Sequence, residues 1–590
     1  MKQIWNKFKE DITPEKIAIR FIMAWLLTTL LFFIKSDGTY LNADYAGKIN
    51  SGMYICFVVL FFVFFCALGL VKAFDWVETY GPLILATLYG FLTLQTNKNI
   101  TYIIAVMAVV TLTIIHAVNN SKLFAEIKKT RTIIIIYVLS GVIYMLIAGL
   151  TTVYKYKSYT SPAFDFGIWA QMFENMRKGF SPVTTVEREY LMSHFKVHFS
   201  PIYYIFLPFY MLIPDPVTLQ VLQVVTLASG LVPVYLICRK RGLSKSATAA
   251  FGIIYALFPA ISTGCYYDLH ENCFLMPLLL WLFYFIETDD MKGILIFSVL
   301  TMLVKEDAPV YIACIGLYII LGRQKYSKGI IVTMLAISYF VVVSYFMKKY
   351  GLGIMSDRYN NYMVDGSGSL FDVIKNFVVN PAYVLSECFS ADRLEYIIYM
   401  LMPVGFLPLA TKKISRFILF IPMLLINLAT DYVYQHSIFF QYVFGVSAII
   451  IYLAIINYSE IQEKGRRFMC SIAICSSLIV MPLTSLSRTY YIDKYKVNKA
   501  SYEELDKVME EIPKEASVSA STFFVAHLAD HNELYEYPYL YNDSIITDYI
   551  IIDLRVKNIS DIDLYTLENK GYETVKKVDG LYLLMQHKSE

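Results

Sequence analysis

Ionisable side chains stand in two short segments that each follow a long apolar run. One segment, FDFG, carries Asp165, and the other, YYDLHE, carries Asp268, His270 and Glu271. Ionisable groups close to the hydrocarbon of a bilayer are costly, and they usually face a cavity, a partner charge or a substrate. A carboxylate there can act as a general base, and an acid–imidazole–acid group can hold a hydroxyl, a cation or a proton. The two segments therefore predict a reaction centre at one surface of a membrane.

Asp165 has two interpretations from its surroundings in the sequence. A partly desolvated carboxylate has a raised proton affinity and can act as a general base, and Gly167 beside it allows a backbone to approach closely. Asp is also a preferred N-cap residue, and a helix-like stretch runs from Phe164 to Phe180 with Trp169 and Phe173 on one side. We expect these two aromatic side chains to lie at the membrane interface.

Two histidines four residues apart, His194 and His198, flank Lys196. On one face of a helix they would hold a metal ion or a phosphate, with Lys196 contacting the anion. No third metal ligand stands nearby in the sequence, and Pro201 limits how far a helix could run. Histidines that only form hydrogen bonds at the interface are the alternative.

Three consecutive charges, Lys305, Glu306 and Asp307, interrupt an apolar stretch that runs from 294 to 321. Charged structure at membrane depth is tolerated where it lines a cavity. One interpretation is a tight external turn in which Lys305 is neutralised by the adjacent acids. Another is a site where Lys305 binds a lipid phosphate, and His436, in a later external turn, would reach the same site.

Apolar helices must position these residues. The chain has 590 residues, 57% of them hydrophobic and 17% charged, against about 45–50% and about 25% in soluble proteins. Several apolar runs approach the ~20 residues that span a bilayer. We predict an all-α polytopic membrane protein with about 15 spans, near 17–35, 52–72, 82–97, 100–118, 132–152, 217–238, 246–264, 273–287, 291–304, 308–322, 327–347, 394–410, 417–431, 437–457 and 468–487.

Composition also excludes some classes of function. A net charge of +3 is too small to indicate a nucleic-acid partner. The nine cysteines form no CxxC and lie mostly in or beside apolar runs, which excludes a disulfide framework and a zinc ribbon. We expect them to be buried, inert thiols.

Lys and Arg clusters between the spans predict the orientation in the membrane. Five clusters fall on the cytoplasmic side if the N-terminus is cytoplasmic, and the pair at 348–349 is the exception. Counting the apolar segment 201–213 as a further crossing would break this agreement. We therefore predict that it is a short re-entrant or interfacial helix. We therefore predict a multi-pass protein of the plasma membrane with external loops at 153–200 and 351–393.

Three parts follow from this organisation. Residues 1–131 are accessory transmembrane helices, 132–487 are the main transmembrane module, and 488–590 are a small external α/β domain. In that last domain a capping signal starts a helix at Ser501, and β-like runs follow at 516–521, 548–553 and 581–586.

Five segments occur in a fixed order between about 155 and 460: FDFGIWAQ, HFSPIYYIFLPFYMLIPDPVTLQVLQ, YYDLHENCFLMPLL, LVKEDAPV and YQHSIFFQY. In them the chain resembles a family of predicted membrane proteins of unknown function related to the C-type (GT-C) glycosyltransferases. The resemblance implies a GT-C-like helical bundle at 132–487. It also implies a base in the first external loop, which maps onto Asp165, and acidic or polar groups in the next, which map onto Asp268, His270 and Glu271.

The implied activity is an inverting transfer of a sugar from a polyprenyl-phosphate donor to a glycan, lipid or protein acceptor at the outer face. Asp165 would be the base, Asp268 or Glu271 would orient the acceptor or sugar, and Lys305 or Lys196 would neutralise the phosphate. The membrane-proximal loops carry no DxD, which is present only as 561–563, so the cofactor is unknown and a divalent cation is not clearly indicated. A transporter or lipid flippase is one alternative, although no internal repeat is visible. A catalytically silent GT-C-like scaffold is the other.

Overall fold

A computed structural model describes residues 13–35, 44–96, 99–121, 127–353, 357–363, 370–557 and 562–588. The basic N-terminal residues 1–12, Asp561 of the DxD, and parts of the polar loop at 354–356 and 364–369 lie outside this description. The described chain is mostly helical, with a small sheet near the C-terminus.

The N-terminal helices pack on one another and on a helix close to the C-terminal domain. They are α1 (Pro14–Ile34), α2 (Asp44–Lys48), α3 (Ser51–Gly69), α4 (Asp75–Thr93) and α5 (Ile100–Asn120). Helix α1 begins at Pro14 because the Thr13 side chain accepts a hydrogen bond from the backbone N–H of Lys16. In its interior, Arg20 Nε lies 2.5 Å from Glu78 Oε1 of α4, which gives a charge inside the apolar layer a partner.

The middle of the chain supplies most of the bundle. Its elements are α6 (Thr130–Lys157), α7 (Ile168–Gly179), strands β1 (Val183–Thr184) and β2 (Met192–Ser193), α8 (Leu207–Leu212), α9 (Pro216–Ser229), α10 (Leu231–Lys240), α11 (Lys245–Leu257), α12 (Pro259–Cys265), α13 (Leu275–Thr288), α14 (Met291–Met302), α15 (Pro309–Leu321) and α16 (Tyr326–Tyr350). The segment predicted as a short re-entrant element is a 3₁₀ turn, Pro201–Ile205, followed by α8.

The next segment contains shorter helices around one central helix. It comprises α17 (Leu370–Val379), α18 (Pro381–Cys388), α19 (Ala391–Leu401), α20 (Phe444–Tyr458) and α21 (Glu463–Val480). Every residue of α20 is buried, so this helix is the core of the bundle. The run 417–431, predicted as a span, is a 3₁₀ turn, Ile414–Phe420, followed by a wide helical turn, Met423–Leu428. Continuous apolar sequence alone did not distinguish these buried turns from a membrane-spanning helix.

Eight helical segments in the described parts of the chain are long and apolar enough to cross a membrane. They are Pro14–Ile34, Ser51–Gly69, Ile100–Asn120, Thr130–Lys157, Pro216–Lys240, Lys245–Cys265, Tyr326–Tyr350 and Gln441–Tyr458. The predicted number of about 15 is not confirmed. Many of the other predicted spans form helices shorter than 18 residues, such as α13 and α14.

The C-terminal domain is α/β, as predicted. It contains α22 (Tyr490–Val497), α23 (Lys499–Glu511), β3 (Val518–Ser521), β4 (Leu534–Tyr537), β5 (Tyr549–Asp553), α24 (Leu564–Asn569), β6 (Tyr572–Val578) and β7 (Tyr582–His587). The five strands lie in the order β4-β3-β5-β7-β6, with the first three parallel and the last two antiparallel to their neighbours. The sequence predicted β3, β5 and β7 but missed the two edge strands, and α23 begins two residues before Ser501.

Candidate functional site

A polar cavity of about 430 Å³ lies among the connecting segments of the bundle. Four of the predicted site residues line it, namely Asp165, His194, His198 and His270. The wall also contains residues that were not predicted as site residues, among them Trp169, Glu187, Arg188, Tyr267, Arg358, Gln441 and Tyr442. The cavity therefore unites segments that are almost 280 residues apart in the sequence.

Asp165 lies between α6 and α7 in a strained backbone conformation. Its φ of 71° and ψ of −71° are those of a rare γ-turn, which costs energy for any residue other than glycine. Helix α7 begins at Ile168 with Gly167 as its N-cap residue. The interpretation of Asp165 as the N-cap is therefore wrong, because the turn directs its half-buried carboxylate to the cavity wall instead.

Tyr267 lies near the Asp165 carboxylate. Burial raises the pKa of the Tyr267 hydroxyl, and the nearby Asp165 carboxylate raises it further. Tyr267 thus remains protonated and can donate to Asp165. The Tyr267 ring packs 4.9 Å from the ring of Phe440, which fixes its place in the cavity wall.

The C-terminal domain holds the segment around Asp165. The backbone N–H of Ala163 donates to Thr522 Oγ1 at 3.1 Å, and Arg555 Nη2 donates to the carbonyl of Tyr159 at 2.9 Å. The His527 ring stacks between the rings of Tyr156 and Tyr159, at 4.2 and 3.6 Å. Burial lowers the pKa of His527 to about 3, so the ring stays neutral in this stack.

The same domain covers helix α7. Trp169 and Phe173 are 1% and 0% exposed, so the expectation that they lie at the membrane interface is wrong. Both pack against Tyr203 of the turn Pro201–Ile205, with ring centroids 5.0 and 5.6 Å apart. The polar face of α7 is also covered, because Gln171 Nε2 donates to the carbonyl of His531 at 3.2 Å.

Asp268 is enclosed and fully bonded. It is 1% exposed, and its carboxylate accepts hydrogen bonds from Lys155 at 2.5 Å, Ser161 at 2.9 Å and Gln220 at 2.6 Å. Burial raises the pKa of Asp268, and Lys155 opposes that shift. These contacts tie the end of α6 to α9 and to the segment after α12, behind the cavity wall.

Glu271 is the centre of a buried charge network. Tyr203 donates to its carboxylate at 2.5 Å, and His270 Nδ1 and Lys305 Nζ each lie 2.9 Å from it. Burial alone would raise the pKa of Glu271, but His270 and Lys305 together hold it well below its usual range. Lys305 is thus neutralised by Glu271, rather than by the adjacent acids that the sequence predicted.

Glu306, next to Lys305 in the chain, binds a different set of partners. Its Oε1 lies 2.8 Å from His198 Nδ1, and its Oε2 accepts from the backbone N–H of Phe199 at 3.1 Å. Burial opposes the ionised form, yet His198 and Lys305 lower the pKa of Glu306 to about 2. Asp307 is less buried, and burial with the neighbouring Glu306 raises its pKa against the effect of Lys305.

An apolar cavity of about 310 Å³ adjoins the polar one. The two cavities share His198 and Arg358 as wall residues, and the apolar cavity also contains Lys305, Glu306 and Asp307. The rest of its wall is mostly apolar and includes Val310, Phe340, Val373, Ile374, Leu425 and Ile426. A ligand with a polar head and an apolar tail would fit across the shared wall.

Arg358 is the cation at the junction of the two cavities. Its guanidinium lies over the rings of Tyr432 and Tyr442, 4.5 and 5.5 Å from their centroids. Arg358 was not predicted as a site residue, because nothing in its spacing connects it with aromatic residues more than 70 positions later.

Three buried polar atoms in the wall of the polar cavity have no hydrogen-bond partner among the residues that the structure describes. They are Trp169 Nε1, His194 Nε2 and Gln441 Oε1. Since buried polar atoms are nearly always bonded, they indicate a place for a polar ligand or water. His194 Nδ1 lies 2.9 Å from Glu187 Oε2, which orients the ring and leaves Nε2 for the ligand.

The structure does not bring all predicted residues together. Lys196 is exposed and contributes its carbonyl, which accepts from the backbone N–H of Leu352 at 2.8 Å. His436 Nε2 lies 2.8 Å from Asp392 Oδ2, away from the described walls of both cavities. No cluster of three or more metal-ligating side chains occurs in the described ranges. His194 and His198, predicted as a possible metal pair, contact two different carboxylates, those of Glu187 and Glu306.

Comparison with known proteins agrees with this architecture. Residues 155–583 match the model of the family described as "Predicted membrane protein (DUF2079)". No curated protein matches the chain by sequence. The crystal structure of ArnT from Cupriavidus metallidurans bound to undecaprenyl phosphate matches with a TM-score of 0.50 and 10% identity, over 78% of this chain and 98% of that chain.

At this identity the likeness to ArnT is one of fold. The described chain therefore has an ArnT-like fold. Since the family model covers well over half of the chain, the protein is a multi-pass membrane protein of the DUF2079 family.

Proposed function

We propose that this protein is a membrane glycosyltransferase that moves a sugar from a polyprenyl-phosphate donor to an acceptor hydroxyl. The observation that carries the proposal is the pair of adjoining cavities, one polar with Asp165 in its wall and one apolar, with Arg358 between them. An isoprenoid chain would occupy the apolar cavity and the sugar the polar one. The ArnT structure supports this ligand class, since that protein was crystallised with undecaprenyl phosphate.

Asp165 is the base of the proposed reaction. It takes the proton of the acceptor hydroxyl as that oxygen attacks the anomeric carbon of the donor sugar. The bond from the anomeric carbon to the phosphate oxygen breaks, and its electron pair leaves with the polyprenyl phosphate. Attack from the face opposite the leaving group inverts the anomeric centre. The protonated Tyr267 hydroxyl near Asp165 donates to the carboxylate during this step and so orients it.

Arg358 stabilises the leaving phosphate. A guanidinium binds phosphate through paired hydrogen bonds and keeps its charge at any physiological pH. Lys305, which lines the apolar cavity but is paired with Glu271, contributes a second, more distant positive charge. Lys196 has an exposed side chain and takes no part in this step.

Trp169, His194 and Gln441 bind the sugar. The indole N–H donates and the other two atoms accept, so together they match hydroxyl groups, which do both. Asp268 and Glu271, predicted as catalytic, are positioning residues in this proposal. The contacts of the Asp268 and Glu271 carboxylates fix the segment that places Tyr267 and His270 in the cavity wall.

The same proposal includes the arrangement in the membrane. Residues 1–131 are accessory helices, 132–487 form the GT-C-like module, and 488–590 form an external domain above the site. With the N-terminus cytoplasmic, both cavities open at the outer face of the plasma membrane. A transporter would need charges along a path to both faces, whereas Asp165, Glu271 and Lys305 lie in or beside two adjoining cavities.

A complementation experiment tests the proposal. Polyprenyl-linked sugars and envelope glycans would be measured by mass spectrometry in a deletion strain carrying wild-type protein, Asp165→Asn or Asp493→Asn. Asp493 is 81% exposed in its side chain and serves as the matched control. We expect a lipid-linked sugar to accumulate and a glycan to lose one residue in the deletion strain and with Asp165→Asn.

Wild type and Asp493→Asn should restore both pools. Full complementation by Asp165→Asn would remove its role as the base. A deletion that changes neither pool would overturn the transferase and favour a flippase or a silent scaffold.

A further inference from the structure

We propose that the C-terminal domain carries a second binding site, for a further part of a carbohydrate acceptor. The inference rests on the proposed function and names a substrate class for it. The site is a cavity of about 270 Å³ between the segment after β4 and helix α24. Tyr537, Tyr539, Asp543, Asp563, Lys570 and Tyr572 contribute to its wall.

Fixed aromatic rings form one side of this C-terminal cavity. Tyr537 and Tyr539 stand edge to face, with centroids 5.5 Å apart and planes at 88°. The Tyr539 hydroxyl lies 2.7 Å from Ser519 Oγ, and the Tyr572 hydroxyl donates to the carbonyl of Thr547 at 2.9 Å. Rings held in this way offer apolar faces without losing conformational entropy on binding, and the apolar face of a pyranose packs well on such a surface.

Polar groups of both signs form the other side. Lys570 Nζ donates to the carbonyl of Asp543 at 2.6 Å, which leaves two further ammonium protons for a ligand. Asp563 accepts from Thr566 Oγ1 at 2.6 Å, and a carboxylate has additional acceptor positions. Two carboxylates and one ammonium group thus stand in the wall, so a neutral, hydroxyl-rich ligand fits better than an anion.

Three consecutive residues connect this cavity with the polar cavity. Glu187 and Arg188 line the polar cavity. The next residue, Glu189, is 7% exposed and its carboxylate accepts from the backbone N–H groups of Leu540, Tyr541 and Asn542. That segment lies between Tyr539 and Asp543, which are wall residues of the C-terminal cavity.

The surface between the two cavities is suited to a sugar chain. The Arg188 guanidinium lies 5.6 Å from the centroid of the Tyr541 ring, and Tyr541 is 57% exposed. The ring held by this cation presents an exposed aromatic face on which a sugar ring can pack. An acceptor longer than one sugar would therefore extend from Asp165 past Tyr541 to the C-terminal cavity.

A titration tests this inference without turnover. Purified full-length protein in lipid nanodiscs would be titrated by calorimetry with maltohexaose, cellohexaose, chitohexaose and mannohexaose. The variants are Tyr537→Ala and the double variant Asp543→Ala/Lys570→Ala. The matched control is Lys577→Ala, because Lys577 is a surface lysine of the same domain, paired with an exposed acid.

We expect at least one hexasaccharide to bind the wild type, and both cavity variants to weaken its binding at least tenfold. Lys577→Ala should bind it as the wild type does. Asp543 is exposed, so the double variant remains informative if Tyr537→Ala fails to fold. Absence of binding by all four hexasaccharides, or equal binding by wild type and cavity variants, would overturn the site. Because this titration measures binding and not sugar transfer, its result can be interpreted even if the complementation experiment fails.

Discussion

Asp165 and Asp268 are two aspartates on neighbouring connecting segments with opposite surroundings. Asp268 is 1% exposed, and lysine, serine and glutamine side chains saturate its carboxylate. Asp165 is half-buried in a cavity wall, in a strained turn, with the Tyr267 hydroxyl nearby. A saturated carboxylate contributes to stability, whereas one held under strain at a cavity wall is available for chemistry.

The difference shows how to separate structural from chemical charges in a membrane protein. Both carboxylates follow an apolar run, so their positions in the sequence carry the same information. What distinguishes them is the number of partners supplied by remote segments. Gln220 of α9 and Lys155 of α6 donate to the Asp268 carboxylate. The C-terminal domain instead bonds to the backbone two residues before Asp165.

The largest effect expected from this comparison is that of Asp268→Ala on stability. Removing this carboxylate leaves the Lys155 ammonium buried without its partner, which costs about 3–5 kcal/mol in the free energy of unfolding. Asp165→Asn should change that free energy by less than about 0.5 kcal/mol, because no buried charge loses its partner. Denaturant unfolding of both variants in detergent measures the difference.

A double variant separates charge loss from cavity formation. Lys155→Met/Asp268→Leu should recover part of the stability, since neither charge remains unpaired. If Asp268→Ala is as stable as wild type but inactive, the assignment of Asp268 as a positioning residue would be wrong, and both aspartates would belong to the chemistry.

Gly167→Ala should have the next largest effect, and it tests the support of Asp165 by the C-terminal domain. An added Cβ would lie 2.8 Å from Val525 Cγ1, so the turn and the domain must separate. Overpacking of this kind costs about 1–3 kcal/mol, and the movement should displace Asp165 and lower the transfer rate. Gly179→Ala at the other end of α7 is the control, because a Cβ there meets nothing within 4 Å.

Thermal unfolding and the transfer rate of both variants would be compared. Val525→Ala should restore part of the activity of Gly167→Ala by making room for the methyl group. An active, stable Gly167→Ala protein would show that the C-terminal domain does not position the base.

Much of this architecture could be predicted from the sequence, and the reasons for the failures are physical. Apolar runs and β-like runs located most helices and three of the five strands of the C-terminal sheet, because both signals are local. Edge strands β4 and β6 were missed, since β4 has only four residues and β6 has mostly exposed or half-buried positions. Arg358, Trp169 and Gln441 were also missed as site residues, because only the folded chain brings α7 beside the segments after α16 and before α20.

The pH dependence of stability should also distinguish the two kinds of carboxylate. The folded-state pKa of Glu271 lies well below its usual value because His270 and Lys305 favour its ionised form against burial. Its contribution is therefore complete above the unfolded-state pKa of about 4.3 and is lost as the pH falls toward the folded-state pKa. Unfolding free energies measured on the acid side should fall steeply for wild type and less steeply for Glu271→Gln. Equal slopes would show that Glu271 is not held ionised by these partners.

The smallest effect concerns the cavity wall itself, and Trp169→Phe isolates it. The substitution removes the unpartnered Nε1–H but keeps a ring to pack against Tyr203, so stability should change little. Loss of one hydrogen bond to a sugar hydroxyl costs about 0.5–1.5 kcal/mol, and donor KM should rise by roughly 2- to 13-fold, as RT sets the conversion.

A matched control is Phe173→Leu on the same buried face, which changes packing but removes no hydrogen-bond donor. If Trp169→Phe leaves donor KM unchanged while the protein stays folded, water rather than sugar satisfies that N–H. The wall opposite Asp165 would then be passive, and specificity would have to come from His194 and Gln441.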